Sequence, residues 1–426
     1  MSNHQQASSV SFSYLAVIRS TVFAFLISSV LFIPMVGIKL SGWGYRFAFD
    51  QAFWLVGLVT LVRFFTSIIV QVPKWKALAL RIFAQRAYLP VVEDTKNRFR
   101  SRITILLILL AIIANPLFLG QYWLSVWITA LIYVLLGLGL NIVIGFAGLL
   151  DLGYVGFYAI GAYTVALLFK FYGFGFWESL PIAAFAAAFF GAILAFPVLR
   201  MHGDYLAIVT LGFGEIIRLV IHNWLPVTGG PNGIRLPKPF ISFFGLNFSK
   251  GNDPYSFHNF FHLPYSEFYR PIFTYYLLVL FVAAVAFVCY RLKEMPLGRT
   301  WEAIREDELA CRSLGINAVT VKLAAFTMGA FVGGIGGAFF AVLTEFVSPT
   351  SFSFIESALV VAIVVLGGLG SVPGVIISAI VLTLIPEILR DTANIRILVF
   401  GVIMLVVMIW RPRGLTRIVR PRFNRP

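Results

Sequence analysis

RLKEMPLGRTWEAIREDELACRSLGINAVTVK, residues Arg291–Lys322, is an island of charge between two long hydrophobic runs. The segment carries its own start and stop signals. Met295-Pro296-Leu297-Gly298 breaks the incoming helix, and Thr300 is placed to cap a new one with Glu302 in its first turn. Gly315 sits where a helix ends. The spacing predicts one short amphipathic helix. Glu308 stands four residues before Arg312, the favourable order for an ion pair on a helix face, and Asn317 is placed to cap the next span. Loops that only connect spans rarely carry such structure, so the stretch reads as a compact elbow between two membrane helices.

Composition explains what flanks the island. A chain of 426 residues, 60% hydrophobic and 12% charged, with mean hydropathy +0.91, lies far outside soluble norms and reads as a polytopic membrane protein. Its net charge of +15 does not point to nucleic acid, because the basic residues gather in a few inter-span segments, as cytoplasmic loops require. Cys289 and Cys311 have neither the number nor the spacing of a metal site or a disulfide framework. The five histidines form no paired motif on a span. His258 and His262 are four apart, but no acidic third ligand is adjacent to them. GGLGS at 367–371 lacks the lysine of a phosphate-binding loop, and no complete loop of that kind occurs elsewhere. We therefore expect no catalytic residue, no metal and no cofactor bound by this chain, and any ATP must be used by partner subunits.

In chain order, Met1–Ser20 has no signal-peptide pattern. Apolar runs at Thr21–Ile38 and Ala52–Val72 are each near the length of a bilayer crossing. Arg63 falls inside the second, so this hairpin is expected to pack against protein. Pro73–Arg102 holds eight Lys or Arg against Glu93 and Asp94, which marks it as cytoplasmic. Ten shorter, glycine-rich spans follow: Ile103–Leu119, Leu124–Ile144, Leu152–Phe169, Pro181–Leu199, Tyr205–Trp224, Pro271–Tyr290, Leu323–Leu343, Ile355–Leu369, Val372–Leu389 and Ile395–Trp410. The expected fold is an all-α polytopic membrane protein of about 12 spans, with both termini cytoplasmic. Residues 1–102 form a two-span hairpin with a basic segment, 103–410 the core, and 411–426 a basic tail of six arginines. The same parity puts 291–322 inside and 225–270 outside. LGGLGSVPG, after Ile355–Leu369, reads as a broken or re-entrant turn.

Several spans are built for packing or for a polar path. Gly329, Gly333 and Gly337 repeat on one face, the pattern that lets helices approach closely. Asn141–Thr164, rich in glycine with Asp151 at a span junction, is either close packing or an unwound backbone beside a polar path. Glu215 and Arg218 can pair within a span. The segment Leu225–Arg270, with the turn Thr228-Gly229-Gly230-Pro231-Asn232-Gly233, is too long for a bare connection.

These stretches together resemble the permease subunits of bacterial importers driven by ATP-binding cassettes, specifically the longer permease of branched-chain amino acid systems. The resemblance is carried by GFAGLLDLGYVGFYAIGAY, PVLRMHGDYLAIVTLGFGEIIRLVIHNW, TGGPNGI, MPLGRTWEAIREDELACRSLGI, IVVLGGLGSVPG and the terminal IWRPRGL, which cover Ile103–Leu415. It implies a ten-span permease core with an N-terminal two-helix extension in the inner membrane. It also implies a second homologous permease, two ATP-binding subunits and a periplasmic amino-acid-binding protein for leucine, isoleucine and valine. The elbow is similar to the family's coupling helix, so Arg305, Glu306, Asp307, Ala310 and Gly315 become candidates for ATPase docking. Thr228, Gly229, Gly230 and Asn232 become candidates for binding-protein docking, and Asn141, Thr210, Glu215 and Arg218 for the path or for buried polar support. The alternatives are a permease of the same family for another small solute such as urea, or an ion-coupled secondary transporter. The second would usually carry a carboxylate relay in its helices, and acids there are few.

Overall fold

The computed structural model describes residues 120–198, 203–237 and 266–388, shorter stretches at 38–41, 44–47, 241–243, 246–248 and 256–260, and single positions elsewhere. The expected spans Thr21–Ile38, Ala52–Val72, Ile103–Leu119 and Ile395–Trp410, with Arg63, Pro73–Arg102 and the tail Arg411–Pro426, lie outside the described residues but for isolated positions. The chain divides into two compact units, Met1–Thr104 and Ile105–Pro426. In the first, the strands Ile38–Ser41 and Gly44–Phe47 pair antiparallel with Ser41 opposite Gly44.

The second unit is helical apart from two-residue strands among its described residues. Its spans are α1 (Gln121–Leu140), which continues as a π-helical turn Asn141–Phe146, then α2 (Val155–Tyr172), α3 (Phe176–Val198), α4 (Asp204–Asn223) and α5 (Tyr269–Glu294). The polar island follows as α6 (Pro296–Glu306) and α7 (Glu308–Ser313). Then come α8 (Ala318–Thr344), α9 (Phe354–Gly367) and α10 (Val372–Ile388). Seven helices among the described residues are long and apolar enough to cross a membrane: α1 to α5, α8, and α9 with the turn before it. The eighth, α10, is shorter. Each falls where an apolar run predicts a span.

Helix α8 is the hub. In lipid no hydrophobic drive pulls helices together, so contact depends on close van der Waals fit. A Cβ at Gly334 would stand 2.6 Å from Ala187 Cβ, and one at Gly337 would stand 2.2 Å from the Tyr158 carbonyl oxygen. A Cβ at Gly329 would meet Val143 at 2.5 Å. The face Gly329, Gly333, Gly337 therefore meets α1 and α2, while Gly334, off that face, seats α8 on α3. The expected break after α9 is present: Gly368 and Gly370 both take positive φ, and α10 restarts at Val372. Ser378 Oγ donates to Ile363 O at 2.6 Å and ties the two arms of this hairpin.

At the end of the bundle away from the elbow, Ile234–Arg235 pairs antiparallel with Phe346–Val347, and the Leu236 amide donates to Glu345 O at 2.9 Å. Arg270 pairs with the Glu345 carboxylate. The long connection between α4 and α5 is thus stitched to the end of α8.

Candidate functional site

The island folds as two helices where the spacing predicted one. Pro296 occupies the first helical position after extended Met295, so α6 starts before Thr300, whose hydroxyl donates inward to Leu297 O. Asp307 is extended (φ −157°, ψ 107°); it ends α6 and its carboxylate caps α7 by accepting from the Ala310 amide at 3.0 Å. Gly315 follows α7 with φ 83°, and Asn317 caps α8 as expected, accepting from Val319 N at 3.1 Å. Both cysteines are free and buried.

Three anchors fix this elbow. Trp301 is fully buried, its indole N–H donates to Val321 O at 2.8 Å, and its ring stacks on Phe146 at the end of α1. Ile304, Cys311 and Ala318 form a small core under the bend. Glu308 accepts from Arg312 at 2.6 Å and from Lys322 at 2.7 Å. Burial raises the Glu308 carboxyl pKa, but the two cations together outweigh burial and hold it below the ordinary value. Lys322, only 3% exposed, was not singled out in the sequence, because its partner lies 14 residues away around the bend.

The outer face is open. Arg305, Glu306, Asp307, Ala310 and Gly315 are all exposed, and between them stand Leu309, 75% exposed, and Leu314, 81% exposed. These two apolar knobs were also missed; helical periodicity cannot mark an outward leucine. Arg305 does not point only outward: its guanidinium donates to Gly145 O, and its stem lies over Gly148, where a Cβ would meet it at 2.6 Å.

The expected path residues separate into three places. Asn141 is buried where α1 turns π-helical, and its Oδ1 accepts from the Gly370 amide at 2.9 Å, pinning the α9–α10 break to α1. Thr210 is buried in α4; its hydroxyl donates to Ala207 O and accepts from the Leu152 amide, both at 3.0 Å. Beside it Asp151, in the connection between α1 and α2, is buried and accepts from Gly153 N at 2.9 Å. Burial pushes its pKa up to about 7, against the lowering effect of the Gly153 amide and Thr210. The junction Asn141–Thr164 is therefore both unwound and tightly packed: a Cβ at Gly153 would stand 1.8 Å from Thr210 O. Glu215 and Arg218 do pair, yet the chain does not bury them: their side chains are 42% and 29% exposed on the open face of α4. A mid-span position gives no sign of which face of a helix its own chain covers.

In the turn opposite the elbow, Thr228 is buried, with its hydroxyl donating to Ile221 O at 2.6 Å, and Gly230 is buried beneath it. Gly229 is half-buried with positive φ. Of the expected docking residues there, only Asn232 is exposed; the others build the turn, because a hydroxyl next to glycines that reverse the chain closes on the nearest carbonyls.

A bundle of apolar helices packed through glycine, with a rigid charged elbow at one end and a stitched loop at the other, defines an integral membrane protein of the permease class. The family described as "Branched-chain amino acid transport system / permease component" matches residues 122–410. The chain is 49% identical over 342 residues, 79% of each chain, to the protein of Escherichia coli strain K12 named "High-affinity branched-chain amino acid transport system permease protein LivM". It is 46% identical over 358 residues, 83% of each chain, to the protein of the same name in Salmonella typhimurium. A Pseudomonas aeruginosa protein named "High-affinity branched-chain amino acid transport system permease protein BraD" is 24% identical over 304 residues, 66% of this chain and 91% of its own. No solved structure matches the chain. The chain belongs to the branched-chain amino acid transport permease family.

Proposed function

We propose that this chain is one of two permease subunits in an ATP-driven importer that carries leucine, isoleucine and valine across the bacterial inner membrane. A periplasmic binding protein delivers the solute and a pair of separate ATP-binding subunits supplies the energy. The basic segments Pro73–Arg102 and Arg411–Pro426 set both termini in the cytoplasm, and the elbow with them. The observation that carries this reading is the elbow. Its inner side is fixed to α1 and α8 by Trp301, while Glu306, Asp307, Leu309, Ala310, Leu314 and Gly315 form an open outer face. A short helix pair held rigidly from behind is what a nucleotide-driven partner can grip and push, with leucines in its groove and charges at the rim. Arg305 acts behind this face, as the link to the end of α1. On the periplasmic side Asn232 is the contact residue, and Thr228, Gly229 and Gly230 shape the turn that presents it.

The test is co-purification. Leu309→Asp with Leu314→Asp should insert normally and lose the ATP-binding subunits in detergent extracts. Full retention of those subunits by the double variant would remove the elbow from the docking role.

A further inference from the structure

Helix α4 is the span that its own chain covers least. Of its most apolar stretch 22% is buried, against 39% or more in the other six described spans. Positions 205, 208, 212, 215 and 219 follow one another in alternating steps of three and four, so Tyr205, Ile208, Gly212, Glu215 and Leu219 share one stripe, on the side away from buried Thr210. Glu215 lies within the bilayer, roughly 12–15 Å from either end of the span at about 1.5 Å per residue.

Lipid does not suit this stripe. On α3 the outward residues are Ile182, Phe185, Phe189, Ile193 and Phe196, all of a kind that hydrocarbon accepts. On α4 an ion pair takes their place, and charge at this depth belongs against protein or water. Arg218 donates its Nε to Glu215 at 3.0 Å, so its guanidinium is committed to the mid-span carboxylate and does not snorkel to the interface. Five N–H groups on the guanidinium and about four acceptor positions on the carboxylate leave the pair able to bond a further group.

Gly212 gives the second, independent observation. The other glycines within α1, α2, α3 and α8 each place a Cβ less than 3.4 Å from a neighbour, the mark of close packing inside the chain. A Cβ at Gly212 would meet nothing within 4 Å. Glycine weakens a helix interior unless something needs the space, and within this chain nothing described uses it. The surface is also large enough to dock a protein. Tyr205, Ile208, Ile216, Leu219 and Val220 are 44–73% exposed, and with the ion pair they offer on the order of 600 Å², above the ~500 Å² per partner that a specific interface needs. In a two-fold pair of identical chains this stripe would face itself and set Glu215 toward Glu215, whereas a homologous but different permease can offer a hydrogen-bond donor there.

We propose that the stripe on α4 is the seam with the second permease subunit. One helix of that subunit crosses α4 closely at Gly212 and presents a hydrogen-bonding side chain to the Glu215–Arg218 pair. The assignment rests on the two-permease importer proposed above.

The test places benzoylphenylalanine at Ile208 or at Leu219 of the full transporter and irradiates it in native membranes. Cross-linked peptides, read by mass spectrometry, should join this chain to the second permease, and the same probe at Phe189 on α3 should give no such adduct. Gly212→Leu adds volume where this chain leaves space, and it should lower the ratio of co-purified second permease to this chain about tenfold. Gly212→Ala should lower that ratio less. Adducts from Ile208 and Leu219 to a second copy of this chain, to another segment of the same chain, or to lipid alone overturn the proposal, as does an unchanged ratio in Gly212→Leu. Purification of the unsubstituted complex separates the two readings. A second permease that co-purifies but cross-links elsewhere removes the α4 seam alone, and the absence of any second permease removes the two-permease importer with it.

Discussion

Glu308 shows how one carboxylate can hold a bend together. Its partner Lys322 is almost fully buried, so Glu308→Gln leaves a cation without its counter-charge and should cost about 3–5 kcal/mol. Glu308→Gln with Lys322→Met removes both charges and should recover much of the loss in a thermal melt in detergent. Equal melting temperatures for the single and double variants would show that the pair is not held in a dry site. The folded Glu308 pKa lies below the ordinary 4.5, so its contribution is complete at neutral pH and is lost as pH falls through the lowered value. Asp151 behaves in the opposite sense. Its value is raised from 3.8 to about 7, so the folded chain keeps a proton that the unfolded chain releases. Stability should fall as pH rises from about 4 to about 7, and Asp151→Asn should flatten that slope while keeping an acceptor for the Gly153 amide. An unchanged slope in the variant would mean that Asp151 is solvated. At this scale the sequence revealed pairs close along one helix, Glu308 with Arg312 and Glu215 with Arg218. It did not reveal Lys322, Asn141 bonded to Gly370, or the Glu345 pair with Arg270, since those partners meet only when separate helices pack.

Among the elements, the apolar runs were legible because a bilayer fixes both their length and their polarity. The elbow was legible as a structured segment from its proline, glycine and asparagine signals, but its division at Asp307 was not. A residue that ends one helix and caps the next looks, in sequence, like one more acid on a charged face. The π-helical turn at the end of α1 was equally hidden. Its Asn141 side chain and Gly145 carbonyl are held by the α9–α10 break and by α6, distant partners that the local sequence NIVIGF does not show. Trp301 joins these parts. Trp301→Ala removes a fully buried ring and the bond to Val321, and should cost about 3–5 kcal/mol. The elbow should then loosen from the bundle, lowering transport per ATP hydrolysed more than ATPase activity itself. Equal losses in both would mean that Trp301 serves folding only. In α8, Gly334→Val should block the seat on α3 and reduce the amount of folded protein in the membrane, measured by fluorescence-detected size exclusion. A normal elution profile would contradict the close packing.

For the whole molecule, the family match begins at residue 122, beyond the first compact unit, Met1–Thr104. Removal of Met1–Val72 with Pro73–Arg102 retained should therefore leave the core inserted in the same direction, because the basic segment still anchors it. Loss of the ATP-binding subunits from the truncated protein on purification would show that Met1–Val72 belongs to the core. The most direct test of the account concerns energy. Proteoliposomes should contain this chain, the second permease and the ATP-binding subunits, with the binding protein and labelled leucine outside and ATP inside. Leucine should accumulate with ATP and not without it, and the rate should be unchanged when ionophores collapse the ion gradients. Accumulation that proceeds without ATP and stops with the ionophores would contradict the account.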